Sequence, residues 1–176
     1  MANPIVAAIT TYSIKQSTLT GGACREWWLR IPGLSAASDN DAGGNDDLYH
    51  LENPFKMDIV IVQALAVITT LDAQDGDIDV GLADDTSGTS RGNEIFDSLV
   101  NTAVGIFEGL APQAIAGTGG PRPIWLAPGT STDSFLIITQ NADVDVADLR
   151  WHLYLKVIPY DDLTGDEGTQ AVVVVA

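Results

Sequence analysis

The segment LRWHLYLKVI, residues 149–158, decides the fold class because its apolar and polar side chains alternate with a period of two. One set is apolar throughout: Leu149, Trp151, Leu153, Leu155 and Val157. The other set is Arg150, His152, Tyr154 and Lys156. Side chains on a β-strand point alternately to opposite faces, so this pattern predicts a strand with one face in the core.

Other runs of strand length, rich in Val, Ile, Thr and aromatic residues, lie between turns that contain Gly and Pro. They predict strands near residues 5–15, 25–31, 57–71, 77–83, 106–110, 124–126, 134–140, 149–158 and 170–175. The run MDIVIVQALAVITTL, residues 57–71, is apolar almost throughout, which predicts a central strand that bends near Gln63. We therefore predict an all-β fold, a jelly-roll-like antiparallel β-sandwich of about eight strands with one short helix and extended termini.

One domain is expected over residues 1–176, in which residues 1–16 and 165–176 are candidate intersubunit arms. The short helix is expected in SRGNEIFDSLVNTA, residues 90–103, with Ser90 or Asn93 as its N-cap. Its apolar side chains fall at helical spacing: Ile95, Phe96, Leu99 and Val100.

The charge of the chain excludes several classes of protein. Eight basic residues stand against 24 acidic ones, which gives a net charge of -16. No basic stripe is available for a phosphate backbone, so we expect no nucleic-acid binding. The N-terminal residues do not resemble a signal peptide and no apolar run is long enough to span a bilayer, so no membrane partner is expected either. Cys24 is the only cysteine, which excludes an internal disulfide.

Two acidic stretches raise the question of a metal site. DAQDGDIDVGLADD, residues 72–85, lacks the glycine and the final carboxylate of an EF-hand loop. It is better explained as a solvated hairpin, with Asp75 and Gly76 in the turn and Ile78, Val80 and Leu82 on the buried face. The loop of residues 35–47 holds the remaining weak candidates for a bound cation: Asp39, Asp41, Asp46 and Asp47.

The sequence contains no motif for a nucleotide, a zinc hydrolase or a nucleophilic serine. His50 and His152 are the only histidines, and His152 is expected on the outward face of a strand. We therefore expect no enzymatic activity, no catalytic residue and no cofactor.

Aromatic and valine-rich positions are candidates for an interface between proteins. Trp27 and Trp28 are adjacent, so on a strand one must point inward and the other outward. The C-terminal TQAVVVVA would expose an unpaired apolar strand, so it should pair within its own sheet or with a neighbouring subunit. The interface candidates are Trp27, Trp28, Tyr154, Val172, Val173, Val174 and Val175.

Two segments resemble a known class of protein. They are ITTLDAQDGDIDVGLADDTSGTSRGNEIFDSLVNTAVGIFE and WLAPGTSTDSFLIITQNADVDVADLRWHLYLKVIPYD. Both are similar to segments of small virion structural proteins of tailed bacteriophages, typically head decoration (capsid cement) proteins. The resemblance implies a β-sandwich subunit, often trimeric, which binds the outside of a capsid shell and strengthens it.

The leading hypothesis is thus a capsid decoration subunit, made in the host cytoplasm and located on the capsid surface of the virion. Its expected partners are the major capsid protein and copies of itself, as a homotrimer. A tail or neck subunit and a self-assembling shell subunit remain open as alternatives. A carbohydrate-binding or receptor-binding β-sandwich module is the alternative from another class, motivated by Trp27, Trp28, Trp125 and Tyr49.

Overall fold

The computed structural model describes residues 7–8, 13–17, 26–35, 46–71, 77–84, 92–100, 102–110, 122–129, 132–140 and 148–164. Eleven strands and one short helix lie in these ranges. The strands are β1 (Ala7–Ala8), β2 (Ser13–Ser17), β3 (Glu26–Ser35), β4 (Asp46–Glu52), β5 (Ile59–Thr70), β6 (Asp77–Ala83), β7 (Phe96–Val100), β8 (Gly105–Gly109), β9 (Ile124–Trp125), β10 (Phe135–Gln140) and β11 (Arg150–Pro159). The helix is α1 (Tyr160–Thr164), and within the described ranges no helix is long and apolar enough to cross a membrane.

The strands form two sheets. The five-stranded sheet has the order β1-β4-β10-β6-β7, and the six-stranded sheet has the order β2-β3-β11-β5-β8, with β9 also paired to β5. Every pair is antiparallel except β1 with β4. The predicted all-β sandwich is confirmed.

The connectivity is that of a jelly roll. Four antiparallel pairs are nested along the chain, β6 with β7, β5 with β8, β4 with β10 and β3 with β11. The pairs β5 with β11 and β6 with β10 join this long hairpin into two sheets. An eight-stranded roll of two packed sheets is the jelly-roll architecture, and β1, β2 and β9 are additions to it.

The core lies between the two sheets and is built by the predicted alternation. On β11, Trp151, Leu153, Leu155 and Val157 are buried. They meet inward side chains of the other sheet, among them Ile78, Val80, Leu136 and Ile138. The prediction for residues 149–158 is confirmed, as is the buried face of Ile78, Val80 and Leu82 on β6.

The long strand β5 carries the irregularity that its sequence predicts. The register with β11 shifts between Lys156 and Val157, which pair with Gln63 and Ile61 and leave Val62 as the extra residue. Such a bulge bends a strand and increases its twist. The bend expected near Gln63 therefore lies one residue earlier.

The helix predicted over residues 90–103 is wrong, because this segment contains β7. The register of β6 with β7 shifts so that Ile78 pairs with Leu99 and Val80 with Phe96. One residue of β6, Asp79, thus opposes two of β7, Asp97 and Ser98, and Ser98 adopts a φ of 55° inside this bulge. The bulge turns both Phe96 and Leu99 inward, so a strand shows the three-residue apolar spacing that is typical of a helix.

The hairpin predicted at Asp75 and Gly76 is also wrong. β5 belongs to the six-stranded sheet and β6 to the five-stranded sheet, so the connection crosses from one sheet to the other. Residues 72–76 themselves lie outside the described residues. The sequence predicts the strands on both sides of the turn, but it wrongly predicts that these two strands pair with each other.

The N-terminal strand predicted over residues 5–15 is divided in two. β1 pairs with β4 in one sheet and β2 pairs with β3 in the other. The sequence does not predict β4, because its first residues, Asp46 and Asp47, fall in the acidic loop of residues 35–47. The strand predicted over residues 170–175 lies outside the described residues, as do most of the two candidate arms.

Candidate assembly surface

The six-stranded sheet presents one face to the core and one to the outside, which we call the outer face. Three rows of paired residues define the outer face. The first row is Trp28, Lys156 and Gln63; the second is Arg30, Tyr154, Leu65 and Glu108; the third is His152, Val67 and Ile106. Most of these side chains are only half-buried, whereas most of their inward neighbours on β3, β5 and β11 are buried.

Polar contacts fix the β3 side of the outer face. Arg30 Nε donates a hydrogen bond to Tyr154 Oη at 3.1 Å, and the guanidinium carbon lies 5.8 Å from the tyrosine ring centroid. Lys156 Nζ lies 2.7 Å from Glu26 Oε1, with both side chains about one quarter exposed or less. These contacts hold an aromatic ring and two cations in fixed positions, which lowers the entropy cost of binding a partner.

A bulge in β3 sets the position of His152. Ile31 and Leu34 pair with Leu153 and Trp151, which leaves two residues of β3 opposite His152. Gly33 has a φ of 69°, and its backbone N–H donates to His152 Nδ1 at 2.8 Å. Because Nδ1 accepts this bond, the neutral ring carries its proton on Nε2.

The charge of the outer face differs from that of the chain. Arg30, Arg150 and Lys156 occupy outward positions on β3 and β11, against Glu26 and Glu108. The only other basic side chains that the structure describes are Lys56 and Arg122. In a chain with a net charge of -16, an acidic surface would meet less repulsion at this face than an average part of the chain would offer.

The β8 side of the outer face is apolar. Leu65 and Val67 on β5 lie beside Glu108 and Ile106 on β8. Ile106 is 71% exposed and Val104, which precedes the strand, is 59% exposed. They are the two most exposed large hydrophobic side chains among the described residues.

The structure separates the two adjacent tryptophans. Trp27 pairs with the inward Val157, packs against the core and stacks on Phe55 with ring centroids 5.2 Å apart. Trp28 pairs with Lys156 and belongs to the outer face, as does Tyr154. The remaining interface candidates, Val172, Val173, Val174 and Val175, lie outside the described residues.

The aromatic set that motivated a sugar-binding site is not brought together. Trp125 is fully buried, and its indole N–H donates to the Ser134 carbonyl at 2.9 Å. Tyr49 and Trp27 pack against the core. Of the four aromatic residues, Trp28 alone lies on the outer face.

Of the four aspartates that are candidates for binding a cation, the structure describes two. Asp39 and Asp41 lie outside the described residues, whereas Asp46 and Asp47 begin β4 and pair with Gln140 and Thr139. Within the described ranges, no three His, Cys, Asp or Glu side chains are grouped as metal ligands would be.

A second polar feature lies at the end of the sandwich, around the buried Asn53. Its Nδ2 donates to the carbonyls of Met57, Trp125 and Leu126 at 2.9 to 3.0 Å. Its Oδ1 accepts from Phe55 N at 2.9 Å, and its own backbone N–H donates to Ser134 O at 3.0 Å. One side chain thus joins the loop after β4 to the segments around β9.

An open groove of about 430 Å³ adjoins this network and is lined by Glu52, Asn53, Pro54, Lys56 and Pro128. On the outer side of the other sheet, His50 packs edge-on against Phe135 at 6.3 Å. Its Nδ1 is buried and has no hydrogen-bond partner among the residues that the structure describes, and burial lowers the pKa of the ring below its usual 6.5.

Several residues of the outer face were not identified from the sequence as candidates. The sequence singles out neither Arg30 nor Lys156 for an interface, and it predicts Leu65 and Val67 only as part of a central strand. The available signal was the alternation within residues 64–68, where Ala64, Ala66 and Ile68 are buried and Leu65 and Val67 are not.

Comparisons with known proteins do not assign this chain to a family. No protein-family model matches the sequence, and no curated protein matches it. One solved structure, described as the capsid of Ralstonia phage GP4, is similar at a TM-score of 0.42 and 16% sequence identity. The match covers 81% of this chain and 88% of that chain. A likeness of this degree establishes neither a family nor a function.

Proposed function

We propose that the protein is a non-enzymatic virion structural protein that acts as a capsid decoration subunit. In this proposal it is made in the host cytoplasm and binds the outside of a phage head through its outer face. The sequence resemblance to phage decoration proteins supports this function, and the jelly-roll connectivity is compatible with it. Because jelly rolls also occur in lectins and cupins, the fold alone does not select a function.

The composition of the outer face is the observation that carries the proposal. Arginine, tyrosine and tryptophan are enriched at protein interfaces, and here Arg30, Tyr154 and Trp28 lie beside the apolar Leu65 and Val67. The same face holds three of the five basic side chains that the structure describes, Arg30, Arg150 and Lys156. A protein surface that is apolar and acidic would fit it, since its carboxylates would lie near the cationic groups of Arg30 and Lys156.

Binding to phage head shells that lack the protein tests the proposal. The wild-type protein should co-sediment with the shells at a saturating ratio, and Arg30→Glu should weaken the binding about tenfold or more, as expected for a central charged contact. Lys56→Glu is the matched control, because it makes the same charge change at an exposed site away from the outer face. Binding by the control should equal that of the wild type.

Two results would contradict the proposal. One is the absence of wild-type binding to any such shell, and the other is equal binding by Arg30→Glu and the wild type. The homotrimer implied by the resemblance stays a prediction, which the mass of the purified protein tests. Binding to tail or neck particles in place of heads would support the alternative of a tail or neck subunit.

A carbohydrate-binding module is less well supported. Trp27, Tyr49 and Trp125 pack into the core, so Trp28 alone would have to provide the stacking surface for a sugar ring. A glycan array that gives signals abolished by Trp28→Ala would favour this alternative.

A further inference from the structure

The bulge of β3 places a single backbone donor opposite His152. Pro32 and Gly33 are the two bulged residues, and proline has no backbone N–H. The Gly33 N–H is therefore the one backbone donor that the bulge contains, and it donates to His152 Nδ1 at 2.8 Å. A side chain that can gain a proton thus accepts the hydrogen bond of the bulge.

Protonation of the imidazole is incompatible with this bond. In the neutral ring Nδ1 has a lone pair that accepts, whereas in the imidazolium both ring nitrogens carry a proton and donate. Two N–H groups would then face each other across 2.8 Å, with no acceptor between them. The contact between Gly33 and the ring must therefore break when His152 gains a proton. Histidine is the side chain that ordinarily changes charge between about pH 5 and pH 8.

The charged and titratable side chains that surround His152 on the outer face leave this conflict in place. In the part of the chain that the structure describes, they are Arg150 and Tyr154 on β11, Arg30 on β3 and Glu108 on β8. The neighbouring strand β5 contains no titratable residue. Glu108 lies two strands away from β11, and the two arginines repel an imidazolium. Within the described residues, no carboxylate thus lies beside the ring to hold an imidazolium where the neutral ring lies.

The bulge can release the bond while the rest of β3 stays paired. Gly33 is exposed, so water can solvate its N–H once the bond is lost. Its φ is 69°, and a Cβ atom there would meet nothing within 4 Å, so the residue has space in which to move. On either side of the bulge, Ile31 and Leu34 are buried and pair with Leu153 and Trp151. The change is therefore confined to the two bulged residues and the ring.

We propose that His152 is a pH switch of the outer face, in which the neutral ring holds the Gly33 N–H and the protonated ring releases it. The extra proton binds only to the released form, so a fall in pH favours release. Release frees the bulge of the strand that carries Trp28 and Arg30, and adds a cation to the outer face. The inference goes beyond the proposed function and does not depend on it, because the purified protein tests it in the absence of capsids.

An NMR titration that follows both partners of the bond tests the switch. At about pH 8, the ring nitrogens of His152 should show the tautomer with its proton on Nε2. As the pH is lowered to about 5, the Gly33 amide proton should move upfield in step with the protonation of the ring. The protection of this amide against hydrogen exchange should fall about fivefold, which corresponds to the loss of one hydrogen bond.

The variant His152→Asn separates the effect of the proton from the effect of the bond. The amide oxygen of asparagine takes roughly the place of Nδ1, accepts from an N–H and does not titrate. The Gly33 amide of this variant should therefore keep its protection over the whole pH range. His50→Asn is the matched control, since it makes the same change at the other histidine, which lies on β4 in the five-stranded sheet. It should leave the wild-type response of Gly33 intact.

Three results would overturn the proposal. The first is a wild-type Gly33 amide signal that does not follow the titration of the His152 ring. The second is the opposite tautomer of the neutral ring at about pH 8. The third is a Gly33 amide that responds to pH in His152→Asn as it does in the wild type.

Discussion

Asn53 is the residue on which the end of the sandwich depends. Its side chain is 2% exposed and makes four hydrogen bonds to backbone groups of two separate segments. A buried backbone group that loses its partner keeps its desolvation penalty, so the energetic cost of removing the amide exceeds the value of the bonds themselves.

We therefore predict that Asn53→Ala lowers the free energy of unfolding by about 3 kcal/mol, because several buried groups lose their partner at once. Denaturant unfolding followed by tryptophan fluorescence measures the change. Asn93→Ala is the control, since Asn93 is exposed and its side chain bonds Asp97 at the surface. The control should change stability by less than about 0.5 kcal/mol. Equal effects of the two variants would contradict the role given to Asn53.

The contrast between Trp27 and Trp28 shows what the sequence can predict at this scale. Strand geometry alone predicts that one ring points inward and the other outward. It does not predict which one, because both side chains are equally apolar. The direction follows from Trp27 pairing with Val157 and Trp28 with Lys156, a long-range register that no local pattern contains.

At the scale of single elements, the contact of β6 with the segment before β7 requires a glycine. A Cβ atom on Gly81 would meet the carbonyl of Gly92 and would lie 2.7 Å from the backbone nitrogen of Asn93. Both obstacles are backbone atoms, which cannot move without changing the bulged pairing of β6 with β7.

Gly81→Ala should consequently destabilise the protein by about 2 to 3 kcal/mol, the cost of forcing extra volume into a packed site. Gly105→Ala provides the comparison, because a Cβ there would have its nearest neighbour 3.9 Å away, on the ring of Phe107. This substitution should be neutral or stabilise the protein by up to about 1 kcal/mol. Thermal unfolding of the two variants decides the matter, and a Gly81→Ala variant as stable as the wild type would refute the close contact.

The elements also show where sequence patterns mislead. The regular alternation in β11 was interpreted correctly, because the strand pairs over most of its length without disturbing the period of two. In β7 a bulge inserts one residue, and the spacing of Phe96 and Leu99 then matches a helix. A bulge depends on the partner strand, here through Asp79 Oδ1, which accepts from Ser98 N at 2.7 Å. It is therefore not visible in the segment itself.

At the scale of the whole molecule, the sandwich could be predicted but its connections could not. Asp75 and Gly76 are suited to a tight turn, and nothing near them indicates that the chain passes to the second sheet. The chain passes to the second sheet because β8 and β11 pair with the two sides of β5 and leave no place for β6. The outer face could not be predicted either, because its rows join residues from four strands whose pairing is not visible in the sequence.

The nesting of the four strand pairs also has a consequence for the order of events in folding. β6 and β7 are close in sequence, whereas β3 and β11 close the longest loop, and the entropy lost on closing a loop grows with its length. We expect the transition state to contain the β6 with β7 pair and to lack most of the β3 with β11 pair.

Two matched truncations of buried leucines test this order, Leu99→Ala in β7 and Leu29→Ala in β3. Stopped-flow kinetics should give a much higher φ-value for Leu99→Ala than for Leu29→Ala. Leu99→Ala should mainly slow folding, whereas Leu29→Ala should mainly speed unfolding. Similar φ-values would instead indicate a diffuse nucleus. If the order holds, the strand that carries Trp28 and Arg30 docks late, and the outer face is completed only once the rest of the roll has formed.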